Sequence, residues 1–180
     1  MQKNIKVNYK ELLANSSEFE QTIQQCVEAI PGYTNVCQDS LYYTSEEYLN
    51  SIVDTDVDVS KYKNLTHFSP SRNLSLIRFL AELYPGHSIV PTGHFLYPVT
   101  GYMSWHTNSN MPGKRIYITY VDEVGLSGFK YLCNGSIVDT IDSEKIVFRE
   151  FEVDAGNPFW HAVYSNCNRY SFGFRVIDLR

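Results

Sequence analysis

Two kinds of hydrophobic spacing divide the chain near residue 87. Before it, apolar side chains recur at helical intervals. Leu12, Leu13, Phe19, Ile23, Val27 and Ile30 fall on this spacing within residues 9–30, and Pro31-Gly32 ends the pattern. The same reasoning predicts a shorter helix from Ser45 to Val53 and an amphipathic one from Asn73 to Tyr84, closed by Pro85-Gly86. Residues 54–71, with Asp54, Asp56 and Asp58 and then Ser69-Pro70-Ser71, read as loop. Beyond residue 87 the segments are short and rich in Val, Ile, Tyr and Phe. They run Ser88 to Tyr97, Arg115 to Val121, Gly128 to Cys133, Ile146 to Val153, His161 to Tyr164 and Arg169 to Ile177. Turn formers separate them at Asn108 to Gly113, Asn134-Gly135 and Asp154 to Pro158. Short strands after a helical lead-in predict an α+β protein of one domain spanning 1–180. A mostly helical part covers 1–87, and an antiparallel sandwich or jelly roll covers 88–177.

Composition narrows the function. The 14 Tyr and 10 Phe lie mostly after residue 78, which favours a sheet-based core. A net charge of −5, with Lys and Arg scattered, leaves no electrostatic footprint for nucleic acid, which is not favoured as a partner. Cys26, Cys37, Cys133 and Cys167 have no close pairing, so they read as reduced thiols of a cytoplasmic protein rather than a zinc or redox motif. The opening MQKNIKVNYKELL has no signal-peptide apolar region, and no apolar run reaches the ~18 residues of a membrane span. The alternating aspartates lack the Gly and terminal Glu of a calcium loop and read as a solvated acidic loop.

The chemistry concentrates in two stretches, Gly93 to Tyr120 (GHFLYPVTGYMSWHTNSNMPGKRIYITY) and Phe159 to Arg175 (FWHAVYSNCNRYSFGFR). Each holds a histidine beside a strand, His106 and His161, 55 residues apart, and Arg169-x-Ser171 begins eight residues after the second. A non-haem Fe(II) centre needs two imidazoles and a carboxylate on one face, with positions left open. A strand can supply His-x-acid because residues i and i+2 project from the same side.

From Pro91 to Ile177 this layout resembles the 2-oxoglutarate/Fe(II)-dependent dioxygenases of the prolyl-hydroxylase and AlkB-like type. Tyr97, Gly101 and His106 match the family's Tyr, glycine turn and first ligand. The aromatic strand after an arginine is matched by Arg115 to Tyr120, and the Gly-Gly-x strand entry loosely by Ser127-Gly128-Phe129. His161, Arg169 and Ser171 match the distal motif, and Arg175 is similar to the second arginine of the demethylases. The resemblance implies a double-stranded β-helix (jelly roll) buttressed by N-terminal helices. It implies Fe(II) on His106, Asn108 and His161, and 2-oxoglutarate on Tyr97, Arg169 and Ser171. It also implies an oxidoreductase that hydroxylates a C–H bond of an unknown substrate. The departure is Asn108, where the family has Asp or Glu. An amide oxygen has the shape of a carboxylate oxygen without its charge, so hard divalent iron is held less firmly.

Three readings of Asn108 follow: a working ligand, a degenerate site, or a halide-accepting site, the last disfavoured because the amide fills the space. The degenerate case makes the chain a catalytically silent binding or structural protein, with a homo-oligomer or viral assembly as partner. Structural readings stand beside the other residues too. His106 and His161 could be hydrogen-bonded core histidines. Arg169 could be a strand-end surface charge, although a pocket-facing guanidinium suits a dicarboxylate. Tyr97 serves equally as core or ligand, and Arg115 as pocket cation or surface charge. Trp105 and Trp160 are expected on the opposite strand face, in the core. His67, His87 and His94 have no partner at ligand spacing and read as surface or core.

Overall fold

The computed structural model describes residues 16–28, 40–53, 62–69 and 74–179. Its helices are α1 (Ser16–Glu28), α2 (Ser40–Tyr43), α3 (Glu46–Ile52) and α4 (Leu74–Leu83). Its strands are β1 (Lys63–Asn64), β2 (Thr66–His67), β3 (His87–Tyr97), β4 (Gly101–His106) and β5 (Gly113–Val121). They continue with β6 (Ser127–Cys133), β7 (Ser136–Ile141), β8 (Ile146–Val153), β9 (His161–Ser165) and β10 (Arg169–Asp178). Two antiparallel five-stranded sheets result, ordered β2-β3-β10-β5-β8 and β1-β4-β9-β6-β7. This is a double-stranded β-helix with helices outside it.

Strand alternation sorts the side chains into layers. On β5, Ile116 and Ile118 face outward and join Phe172, Phe174, Leu76, Leu80 and Ile23 beneath α1 and α4. Tyr117, one residue out of phase, faces inward, where Tyr97, Phe129, Phe151, Phe159 and Val163 fill the space between the sheets. Trp105 and Trp160 go to the outer face of the second sheet, against Tyr48, Leu49 and Ile52 of α3. The indole N–H of Trp105 donates to the Ser45 carbonyl at 2.9 Å, tying α3 to the strand that ends in His106. Each large apolar side chain so buried contributes about 1.5–3 kcal/mol.

The helix from Ser45 to Val53 is present as α3. The Ser45 hydroxyl accepts from the Tyr48 N–H at 3.1 Å as its N-cap. Residues 9–15 and 29–30 of the first predicted helix, the acidic stretch with Asp54, Asp56 and Asp58, and Cys37 lie outside the described residues. Four strands escaped the hydrophobic pattern, besides the general boundary shifts of a residue or two. The loop over 54–71 contains β1 and β2, whose two-residue lengths are too short for any alternation to register. β4 is buried at all six positions and so has no polar face. β7 follows Asn134-Gly135, whose φ values of 51° and 77° make the primed hairpin turn that this dipeptide favours. That dipeptide was the available signal for β7.

One glycine shapes the cavity wall. A Cβ at Gly173 would sit 2.7 Å from the Gly93 carbonyl oxygen and 2.8 Å from Thr92 Oγ1. The bulge between Phe172 and Phe174 thus lets β3 close onto β10. Among the described residues no helix is long and apolar enough to cross a membrane.

Candidate functional site

His106 ends β4 and His161 begins β9, and the two are directly opposite in the sheet. A register shift between Met103 and His106 accompanies this placement. Both rings turn into the space between the sheets, with centroids 4.0 Å apart. Each Nδ1 lies 2.8 Å from a backbone carbonyl, that of Ser104 for His106 and that of Phe159 for His161. A carbonyl only accepts, so each Nδ1 carries the proton and each Nε2 keeps its lone pair. This is the arrangement that metal-ligating imidazoles use. Phe129 and Phe159 stack on the His161 ring with centroids 5.2 and 5.3 Å away, which fixes its plane. Burial, reinforced by His106, holds the His161 pKa well below the ordinary imidazole value, so this ring is neutral at pH 7.

Asn108 reaches the pair by a route that differs from the expected one. The strand stops at His106, and Asn108 takes φ 55° in the loop that follows. Asn tolerates this left-handed conformation better than most residues. Its Nδ2 donates to His161 Nε2 at 3.1 Å and lies 3.5 Å from the Tyr117 hydroxyl. The loop is held by the Met111 N–H on the Asn108 carbonyl at 3.0 Å and by Arg115 donating to the Met111 carbonyl. Rotating the terminal amide by half a turn would put Oδ1 where Nδ2 lies, beside His161 Nε2. The three side chains named from the sequence as metal ligands are therefore neighbours.

These residues open into a cavity of about 260 Å³, which Tyr97, Tyr117, Ser171 and Arg115 also line. Arg169 lies behind Tyr97, its guanidinium carbon 5.2 Å from that ring's centroid. Its surroundings could not be anticipated from spacing. Asp142, fully buried, accepts from Arg169 Nε at 2.9 Å, from Arg149 Nη1 at 2.7 Å and from the Ser127 hydroxyl at 2.6 Å. Burial would raise the Asp142 pKa, but Arg169 and Arg149 outweigh it and bring the carboxyl to about 2. Arg169 Nη2 donates to Thr119 at 3.1 Å, while Nη1 is buried without an acceptor among the described residues. The cluster therefore holds two guanidiniums, one carboxylate and one unused donor. So Arg169 is not a surface charge, and half of its fork is already committed to Asp142. Nothing in the sequence separates Asp142 from a solvated turn acid, because its partners come from β6, β8 and β10.

The remaining polar candidates are elsewhere. His94 is buried on the outer side of β3 against Phe172 and Phe174, and His67 is exposed. Asp122 accepts from the Asn168 backbone N–H at 2.9 Å, and Asp154 from that of Gly156 at 2.9 Å, both in turns. Arg115, ambiguous in the sequence, is 2% exposed and faces the cavity. Among the described residues no three His, Cys, Asp or Glu side chains come together as a metal site. The donor set is thus two imidazole nitrogens with an amide.

The fold is similar to that of solved prolyl hydroxylases. A prolyl hydroxylase from Trichoplax adhaerens, in complex with a hypoxia inducible factor oxygen degradation domain peptide fragment, matches with TM-score 0.53 and 11% identity, covering 98% of this chain and 83% of that one. A prolyl-4-hydroxylase from Pseudomonas putida matches with TM-score 0.48 and 7% identity over 98% of this chain and 92% of that one. No family model and no curated protein matches the sequence. At these identities the likeness is one of fold.

Proposed function

We propose that the cavity is a 2-oxoglutarate/Fe(II) oxygenase site that hydroxylates a C–H bond of its substrate. The observation that carries this reading is the pairing of the His106 and His161 rings, centroids 4.0 Å apart and each with its Nδ1 on a backbone carbonyl, at a cavity inside a double-stranded β-helix. His106, His161 and the Oδ1 of Asn108 would hold the iron, a set that fits in shape and is one negative charge short of the family's. Bound there, Fe(II) and 2-oxoglutarate would supply the oxidising chemistry, with succinate as by-product.

The chain's own contribution is placement and exclusion of water. The Ser104 and Phe159 carbonyls fix the tautomers, and Phe129 and Phe159 shield the His161 ring. For the co-substrate, the buried Nη1 of Arg169 is a donor awaiting an acceptor, in a cluster with one cation in excess. A carboxylate of 2-oxoglutarate would meet both needs, with Ser171 and Tyr97 at the same end of the cavity. At about 260 Å³ the cavity falls below the ~300–1,000 Å³ usual for small-molecule sites, which favours a small substrate or one inserted side chain.

Stepwise calorimetry under anaerobic conditions tests this, first with Mn(II) and then with 2-oxoglutarate. Metal-dependent 2-oxoglutarate binding that disappears in His106→Ala and His161→Ala is expected, together with Fe(II)-dependent succinate formation in air. A native protein that binds neither metal nor 2-oxoglutarate would exclude the oxygenase. The second reading would then stand, that of a silent relative acting as a binding or structural protein in a homo-oligomer or viral assembly. It is supported by the Asn108 N–H, which satisfies His161 Nε2 without any metal.

A further inference from the structure

Arg115 is the buried cation that this chemistry leaves unused. Its Nη2 holds the Met111 carbonyl, but its Nη1 is buried and meets no acceptor among the described residues. Arg175 is its direct partner across the β5–β10 ladder, so both side chains emerge on the same face. The Arg175 Nε lies 3.5 Å from the point where a Cβ on Gly113, two residues before Arg115, would stand. That nitrogen is also buried without an acceptor among the described residues. Like charges directly opposite in a sheet repel. Among the described residues the ion pairs are Lys114–Glu150, Arg149–Asp142 and Arg169–Asp142, and none involves either arginine. The acid that acts on Arg115 is Glu152, exposed and opposite Lys114, hence on the other face of the sheet. Burial presses the Arg115 pKa down, Tyr117 opposes this, and Arg175 adds to it. Guanidinium nevertheless stays charged in proteins.

The pair is also remote from Arg169. Arg169 and Arg175 are six residues apart on β10, roughly 20 Å of strand at ~3.3 Å per residue.

We propose that Arg115, in the cavity wall, and Arg175 beside it form a second anion subsite, apart from Arg169 along β10, which takes an oxyanion group of the substrate. A carboxylate or phosphate there would cancel the repulsion and fill both orphaned donors. The anion subsite stands on this geometry alone, whereas its assignment to a substrate rests on the oxygenase reading.

The test uses the full chain with Mn(II) and saturating 2-oxoglutarate. Acetate and inorganic phosphate are added in turn, against chloride at matched ionic strength, while the melting temperature is followed. At least one anion should stabilise the native protein saturably, and the responding arm distinguishes carboxylate from phosphate chemistry. Arg115→Gln and Arg175→Gln should each weaken that response at least tenfold, and in Arg175→Gln the 2-oxoglutarate affinity should stay within about threefold of native. Arg175→Gln leaves the Met111 contact in place, so a loop disturbance in Arg115→Gln would not mask the result. No response beyond chloride, or the same response in both variants, overturns the subsite. Loss of 2-oxoglutarate affinity in Arg175→Gln, which leaves the Asn108 loop untouched, also overturns it, by placing the co-substrate at this pair. A native protein that ignores 2-oxoglutarate yet shows the arginine-dependent response supports the subsite and removes the oxygenase reading.

Discussion

The Nδ2 of Asn108 lies 3.1 Å from the Nε2 of His161, so the side chain standing where an iron carboxylate would be expected is now a hydrogen-bond donor to one of the proposed ligands. Asn108→Asp keeps the volume and replaces that donor by a charged acceptor. In an intact oxygenase site the change restores an anionic ligand set, so Fe(II) or Mn(II) should bind more tightly and succinate formation should rise. Without metal, an aspartate here adds an uncompensated partly buried carboxylate that faces an imidazole lone pair. The apo variant should therefore be less stable than native by about 1–3 kcal/mol, or raise its own carboxyl pKa. Melting curves with and without Mn(II) give the two effects opposite signs. A variant destabilised alike in both conditions would show that the three side chains no longer form a metal site.

The buried cluster makes a separate prediction. Asp142→Asn removes the one carboxylate shared by Arg149 and Arg169, leaving two buried guanidiniums uncompensated, at a cost of about 3–5 kcal/mol. Arg169→Ala leaves the Arg149–Asp142 pair neutral, so it should cost less stability while abolishing 2-oxoglutarate binding. Arg169→Lys should rescue that binding only partly, since an ammonium cannot serve Asp142, Thr119 and a ligand from a planar fork. Urea denaturation paired with calorimetry separates the two quantities. Undiminished 2-oxoglutarate affinity in Arg169→Ala would leave Arg169 a purely structural residue.

Asp142 also sets an acid limit. Its folded pKa, about 2, is below the ordinary carboxyl value, so its stabilisation is fully present above pH ~4 and is lost as pH falls through about 2. Native protein should therefore lose stability more steeply than Asp142→Asn between pH 4 and pH 2, as read by urea midpoints. Parallel curves would mean that the carboxyl titrates normally.

These cases show what the sequence could and could not convey. β8 was legible to the residue, Ile146–Val153, because turn formers flank a strongly apolar run. β4 was not, because burial on both faces removes the alternation that marks a strand. His106 and His161 were legible as a pair through their order and spacing. Their tautomers were not, since these depend on the Ser104 and Phe159 carbonyls. Asn108 was legible as the start of a turn, and its positive φ lies there, so its side chain reaches His161 from a loop and not as residue i+2 of a strand. Arg169 could be named but its environment could not. Asp142 is 27 residues distant in sequence, and only the closing of the sheets brings it to 2.9 Å.

His94 yields the last prediction, because among the described residues neither of its ring nitrogens has a hydrogen-bond partner although the residue is fully buried. Its neighbours are the edges and faces of Phe68, Phe172 and Phe174. Burial lowers its pKa to about 4, against a smaller opposing pull from the Thr92 and Gly93 backbone. A base whose folded pKa lies below its unfolded value of ~6.5 stabilises the protein fully only above that value. The contribution is then lost as pH falls from about 6.5 toward 4, and amounts to no more than roughly 3 kcal/mol. His161 is shifted in the same direction, so removing His94 should flatten this acid slope without abolishing it. His94→Phe eliminates two unsatisfied nitrogens at little change in volume and should match or exceed the native stability at pH 7. Its urea midpoint should also decline less between pH 6.5 and pH 4.5 than that of the native protein. His94→Leu repeats the measurement should the larger ring disturb packing, and an acid slope unchanged in both variants would mean that His94 does not resist protonation in the fold.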